Sequence, residues 1–169
     1  MKPHRVLKTV CTLVVPAFFA APATATPGTG FVGTQIAKGL YGPLNLNTAS
    51  DRSTDKDDKW DLKLMTKDDS DIYVTRNAIA VDGQSGWHTH PGPSLVTVTV
   101  GTIAIYDGDD PACPRTVYTA GHGSIDVGGG HTHLIRNESG AVAETVAVQF
   151  LATGEPRRID MPKPTNCPF

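Results

Sequence analysis

At 169 residues the chain is long enough for one ordinary domain with a hydrophobic core, and a single domain is the expectation. Its formal net charge is −2, and it shows no basic stripe interleaved with aromatic residues. Nucleic acids and anionic membrane surfaces are therefore not expected among its partners.

Residues 1–25 have the pattern of a secretory signal peptide. Three basic residues precede an apolar stretch over residues 9–21, and the small residues 23–25 end the segment. The apolar stretch is shorter than the roughly 20 residues that a bilayer span needs. Its removal would take three of the 15 basic residues and none of the 17 acidic ones, lowering the net charge from −2 to −5. We expect a secreted or otherwise extracytoplasmic protein with no membrane attachment after the signal is removed.

Residues 26–59 are predicted to form an arm or long loop, because Gly, Pro, Asn, Thr and Asp outnumber scattered apolar residues there. Regular structure is expected to begin near Trp60. The run from Gly28 to Gly33 matches the dinucleotide-binding pattern G-x-G-x-x-G by letter. That pattern requires a preceding strand and a following helix, and neither is expected here. The run is interpreted as a flexible leader.

From Trp60 onward the pattern alternates with a period of two, in short β-branched and aromatic runs separated by turn residues. No segment has the spacing of a long amphipathic helix. The sequence therefore predicts an all-β domain over residues 60–151, closed or built of two sheets, with a C-terminal tail over residues 152–169. The predicted strands cover residues 61–65, 72–81, 94–100, 103–106, 116–118, 131–137 and 143–151.

Two cysteines, Cys113 and Cys167, lie outside the leader, since Cys11 would leave with it. An even pair in an exported chain favours a disulfide, which would fix the tail to the domain. A functional thiol is the alternative.

The candidate functional residues are histidines, because all five histidines after the leader fall in two clusters. Alternate residues of a strand share a face, so His88 and His90 can direct two imidazoles toward one point. His131 and His133 repeat this arrangement. Two such clusters on neighbouring strands could supply three nitrogens to one metal ion, bound at about 2.0–2.1 Å. His122 lies between two glycines in a turn signal, and we expect it to be solvated or hydrogen-bonded.

At these residues the sequence resembles the cupin family. Its first motif, G-x5-H-x-H-x3-4-E-x6-G, is matched in spacing by His88, His90 and Gly101. Two positions depart from the motif: Ser94 holds the acidic position, and Asp82 stands where the opening glycine is expected.

The second cupin motif, G-x5-P-x-G-x2-H-x3-N, is matched by Gly130, His133 and Asn137. Gly128 holds the proline position, and His122 holds the first glycine position. The resemblance covers roughly residues 71–151. It implies a small β-barrel of the jelly-roll type with a metal inside the barrel.

Carried over by position, the resemblance makes His88, His90 and His133 metal ligands and gives Asn137, Gly101 and Gly130 structural roles. His131 is an alternative ligand to His133. A serine hydroxyl is a poor substitute for a carboxylate on a divalent ion, so the expected site has three histidines. Some cupin enzymes, including thiol dioxygenases and diketone-cleaving dioxygenases, use three histidines on iron. A degenerate cupin whose histidines only pack or bind metal weakly is the alternative.

The expected cofactor is one divalent transition metal, and imidazole ligands leave Fe, Mn, Zn, Cu and Ni open. Two functions follow: a metal-dependent oxygenase acting on a small molecule, or a non-catalytic module that binds a small ligand or metal. Tyr106, Tyr118 and His131 are candidate proton donors, and nothing in the sequence selects among them. Trp87 beside the first cluster is expected to be a core aromatic. A homodimer through an edge strand is a further expectation.

Overall fold

The computed structural model describes residues 25–47 and 62–169. These residues form twelve β-strands and no α-helix, and none of their segments is a helix long and apolar enough to cross a membrane. The predicted signal peptide falls almost entirely outside the described residues. The strands are β1 Thr29–Tyr41, β2 Asn45–Asn47, β3 Lys63–Met65, β4 Ser70–Gln84, β5 His88–Thr89, β6 Ser94–Val100, β7 Thr102–Asp107, β8 Arg115–Thr119, β9 Gly123–Asp126, β10 His133–Arg136, β11 Ala143–Ala152 and β12 Ile159–Asp160.

Ten of these strands form one antiparallel sheet that curls into a nearly closed barrel. The long strand β4 pairs with β1 on one side and β11 on the other, and β11 continues through β6 to β9. Strand β10 pairs with β5 and β7. Buried and partly buried residues alternate along β11, as the period of two predicts. The prediction of an all-β barrel is confirmed.

Two groups of buried side chains lie on opposite faces of β7 and β10, since Tyr106 and Leu134 belong to one and Ile103 and Ile135 to the other. One packs Trp87, Tyr106 and Leu134 against Cys113 and Cys167. The indole Nε1 of Trp87 donates a hydrogen bond to the carbonyl of Phe169 at 2.8 Å, so Trp87 is a core residue, as expected. The other group joins strands from both halves of the sheet and contains Ile79, Val98, Ile103, Ile135 and Ala143.

The prediction of a loop over residues 26–59 is wrong where the structure describes this segment. Strand β1 occupies residues 29–41 and pairs with β4 from Thr29↔Gln84 to Tyr41↔Ser70. Most of its side chains are exposed, so it lacks the apolar alternation that marks a half-buried strand. Backbone hydrogen bonds to a strand far away in sequence hold it instead. Residues 29–33 of the glycine run lie within this strand, so the run is not a flexible leader.

The predicted strand over residues 94–100 coincides with β6, and the predictions for β4, β7, β8 and β11 differ from the structure by one to three residues at their ends. The prediction over residues 131–137 is too long, since β10 begins at His133. The short strands β2, β5, β9 and β12 were not predicted, because two to four residues carry too little periodicity.

The tail is held at two places. Cys113 and Cys167 form a disulfide with Cα atoms 5.4 Å apart, which confirms the predicted pairing and indicates an oxidising environment. Strand β12 pairs with β5, and Asp160 lies opposite His88. The segment after β11 therefore runs directly beside the first histidine cluster.

Asn137, the last residue of the second motif, has a structural role. Its buried Nδ2 lies 2.8–3.1 Å from the carbonyl oxygens of Ile79, Ala80 and Ala141, and its Oδ1 accepts hydrogen bonds from the backbone N–H and hydroxyl of Ser139. These bonds tie the turn after β10 to β4. The N-x-S letters at this position do not mark an accessible glycosylation site.

Candidate metal centre

Three histidine rings meet on one wall of the barrel interior. His88 on β5 and His133 on β10 are directly opposite each other in the antiparallel ladder, so their side chains share a face. His90 follows β5 by one residue. The ring centroids are 4.3 Å apart for His88 and His133, 4.9 Å for His88 and His90, and 5.3 Å for His90 and His133. Each of the three can offer one nitrogen such that the three nitrogens lie within 4.8 Å of one another.

Backbone carbonyls fix the orientation of two of these rings. The Nδ1 atom of His88 lies 2.8 Å from the carbonyl oxygen of Gly86, and Nδ1 of His90 lies 2.5 Å from that of Arg157. A carbonyl only accepts, so each Nδ1 carries the proton and each Nε2 keeps its lone pair. Metal-binding histidines in proteins commonly donate the N–H of the other ring nitrogen to a carbonyl or carboxylate in this way. His133 contributes a buried Nδ1 that has no hydrogen-bond partner among the described residues.

Burial sets the protonation state of the three rings. It lowers the pKa of His88 well below the usual value and lowers the pKa of His90. It also lowers the pKa of His133, to about 4. Charged imidazolium is disfavoured where water is excluded. All three rings are therefore neutral near pH 7, which is the form that binds a metal ion. The residues present fit a divalent transition metal.

The rings border a cavity of about 410 Å³. This is within the range of small-molecule sites. Its lining combines apolar side chains with hydroxyl, amide and guanidinium groups. The described lining residues besides the three histidines are Pro27, Gly28, Phe31, Gly33, Thr75, Asn77, Ser85, Ser94, Val96, Ile135, Ala147, Gln149, Arg157, Arg158 and Asp160.

Several of these residues were not predicted, because they lie in segments interpreted as arm and tail. Phe31 comes from β1. Arg157 donates from Nη1 to the hydroxyl of Thr75 at 2.7 Å, and Arg158 donates from Nη2 to the carbonyl of Ser85 at 2.7 Å. The sequence shows only that two arginines are adjacent. Their position at the candidate site becomes visible only from the pairing of β12 with β5.

Ser94 lies where the resemblance places the acid. It is 1% exposed and lines the cavity, so the departure from the motif is inside the candidate site. Backbone conformation explains two of the other departures, at Asp82 and Gly128. Asp82 has a φ of 60°, a conformation that normally favours the glycine of the motif. Gly128 has a φ of 70°, which the proline of the motif could not adopt.

The remaining candidates do not belong to the group of His88, His90 and His133, although the ligand atoms of His131, His133 and Asp126 also lie within 4.8 Å of one another. His131 precedes β10, and its two ring nitrogens lie 3.1 Å from carboxylate oxygens of Asp126 and Asp107. His122 is exposed in a turn, with Nδ1 3.2 Å from the hydroxyl of Thr119. Tyr106 donates a hydrogen bond to Glu138 at 2.5 Å. Neither Tyr106 nor Tyr118 is among the described residues that line the cavity.

The nearly closed barrel and the three converging imidazoles agree with the fold and the ligand set that the resemblance of the two motifs implies. No protein-family model and no curated protein sequence matches the chain.

Solved structures do match. One is the polyketide cyclase RemF from Streptomyces resistomycificus, at 14% identity over 53% of this chain and 60% of that chain, with a TM-score of 0.45. A cupin superfamily protein from Desulfitobacterium hafniense matches at 11% identity over 47% and 67%, with a TM-score of 0.42. An oxalate oxidase in complex with glycolate matches at 18% identity over 53% and 46%, with a TM-score of 0.46. The chain thus spans 60% and 46% of the length of the cyclase and the oxidase.

Proposed function

We propose that this protein is an exported cupin that holds one divalent transition metal on His88, His90 and His133 and acts on a small molecule as a metal-dependent dioxygenase-like enzyme. The observation that carries the proposal is the convergence of three buried, neutral imidazoles on the wall of a cavity of about 410 Å³. Fe, Mn, Zn, Cu and Ni all accept such ligands.

When bound, the ion would supply Lewis acidity and, for a redox-active metal, electron transfer. The chain's own groups have other tasks. The carbonyls of Gly86 and Arg157 orient the rings of His88 and His90. Phe31, Val96 and Ile135 give the cavity apolar walls that limit the access of water. The hydroxyl of Ser94 and the amide of Gln149 offer hydrogen bonds that can orient a polar substrate.

A non-catalytic module that binds a small ligand or metal is the second candidate. It is favoured by the lack of an available acid or base among the described lining residues other than the histidines. Asp160 is the carboxylate of this lining, and its Oδ1 accepts a hydrogen bond from Nε of Arg158 at 2.5 Å. A hydrolase or isomerase would need a free group of this kind.

Oxygen uptake separates the two functions. The protein purified without chelator should contain near one equivalent of metal, and uptake should accompany one member of a panel of thiols, diketones and flavonoids. Uptake should stop when a chelator removes the metal and resume when the metal is returned. If a compound of the panel raises the thermal midpoint of the protein but no compound causes oxygen uptake, the result would support the binding module. Protein that neither contains nor takes up metal would contradict both metal-dependent roles.

Export is supported by the disulfide and by the pattern of residues 1–25. For partners we propose a small molecule and neither nucleic acid nor membrane after removal of the signal, in line with the acidic charge.

We also propose a homodimer through an edge strand. Strand β1 pairs with β4 and carries the exposed apolar residues Val32, Ile36 and Leu40. Light scattering should give twice the monomer mass, and Val32→Asp should reduce it to that of one chain. A monomer mass for the unaltered protein at micromolar concentration would rule the dimer out.

A further inference from the structure

Ser94 holds the position at which the cupin motif has an acidic residue, and an acidic residue is present on the neighbouring strand. In the ladder of β6 and β9, Ser94 lies directly opposite Asp126. Side chains that face each other in an antiparallel pair lie on the same side of the sheet. Both are buried, at 1% exposed for Ser94 and 8% for Asp126. We propose that Asp126 supplies the carboxylate of the metal centre in place of residue 94. This inference rests on the proposed three-histidine site.

The two oxygens of Asp126 have different surroundings. Oδ1 accepts a hydrogen bond from the backbone N–H of Gly128 at 3.2 Å and lies 3.1 Å from Nδ1 of His131. Oδ2 is buried and has no hydrogen-bond partner among the described residues. A buried carboxylate oxygen without a partner is costly in free energy. A bound cation would compensate that cost.

The free oxygen faces the histidines. Oδ2 of Asp126 lies 3.9 Å from Nε2 of His90, the nitrogen that keeps its lone pair. Oδ1 lies 3.9 Å from Nδ1 of His133, which is another buried atom without a hydrogen-bond partner among the described residues. Two atoms that each bind one ion at about 2.1 Å are at most about 4.2 Å apart. The separation of Oδ2 from His90 is within this limit. In the part of the chain that the structure describes, no group of ligand atoms within 4.8 Å contains both Asp126 and His88, so the Asp126 side chain has to shift toward His88 to complete the centre.

His131 then acts as a positioning residue and not as a ligand. Its ring lies between Asp126 and Asp107, with each ring nitrogen 3.1 Å from one carboxylate oxygen. This contact occupies Oδ1 of Asp126 and leaves Oδ2 without a hydrogen-bond partner among the described residues. The resulting centre has three neutral imidazoles and one carboxylate, which offsets one of the two charges of a divalent ion.

The test measures Co²⁺ binding by the full protein in competition with a chromophoric chelator. Asp126→Asn removes the charge at nearly constant size and should weaken binding by at least about 10-fold, the smaller end of the loss seen when a metal site loses a supporting group. The visible absorption of the Co²⁺ protein should change as well, because a ligand is replaced. Glu155→Gln removes one negative charge from an exposed turn and serves as the control, with an affinity within about twofold of the unaltered protein.

Equal Co²⁺ affinity and an unchanged spectrum in Asp126→Asn would overturn the inference and leave the three-histidine proposal intact. Failure of the unaltered protein to bind Co²⁺ would overturn the proposed function itself. If the variant does not fold, a Zn²⁺-soaked crystal of the unaltered protein decides: Oδ2 of Asp126 within about 2.2 Å of the ion supports the inference. A distance beyond about 3 Å overturns it.

Discussion

Replacing His88 and His90 together by alanine is expected to abolish metal binding, from near one equivalent to less than about one-tenth of an equivalent. Each ring has its Nδ1 turned to a backbone carbonyl and its Nε2 left for an ion. Without these two rings His133 would be the one histidine left of the predicted ligand set. His133 and the proposed ligand Asp126 are too few to retain a divalent ion through purification, since such sites use three or more protein ligands.

The measurement is elemental analysis of protein purified without chelator. His122→Ala is the matched control, because it removes a histidine from an exposed turn, and it should keep the metal content of the unaltered protein. Circular dichroism should show that the double variant keeps its β structure. A folded double variant with unchanged metal content would show that the ion, if present, is bound elsewhere.

Loss of the disulfide is expected to have a large effect on the stability of the protein. Changing Cys113 and Cys167 to serine is expected to lower the free energy of unfolding by about 4 kcal/mol in the chain-entropy model, because the bond closes a long loop with a sequence separation of 54. For a domain of this size the thermal midpoint should fall by roughly 10 °C. The buried cysteines also pack against Trp87, so the serine hydroxyls add a local cost.

Thermal unfolding followed by circular dichroism gives the shift, and the unaltered protein with a reducing agent provides the comparison, since it loses the bond and keeps both cysteines. The two should unfold within a few degrees of each other. Two free thiols in the unreduced protein, or a midpoint that does not move on reduction, would contradict the prediction. The tail carries the Arg157 carbonyl that orients His90, so the metal affinity of the serine variant should also fall.

The sequence determined the features that local patterns encode. Alternation with a period of two located β4, β6, β7 and β11, because each has several buried residues, and it also located β8, whose residues are mostly exposed. The spacing of His88 and His90 placed two rings on one face, and the cysteine count predicted the disulfide. The strands and the two rings on one face were predicted from residues that are close together in the sequence. The disulfide was predicted from the number of cysteines and the expected export of the protein.

The tertiary structure alone decided what depends on pairing between distant segments. Strand β1 forms because β4 offers a backbone partner, and its own side chains gave little sign of burial. Arg157 and Arg158 line the cavity because β12 pairs with β5. Asp126 faces the histidines because the register of β6 and β9 sets it opposite Ser94. A shift of one residue in that register would point Asp126 to the other face, so the position of this acid is a property of strand pairing that no local motif contains.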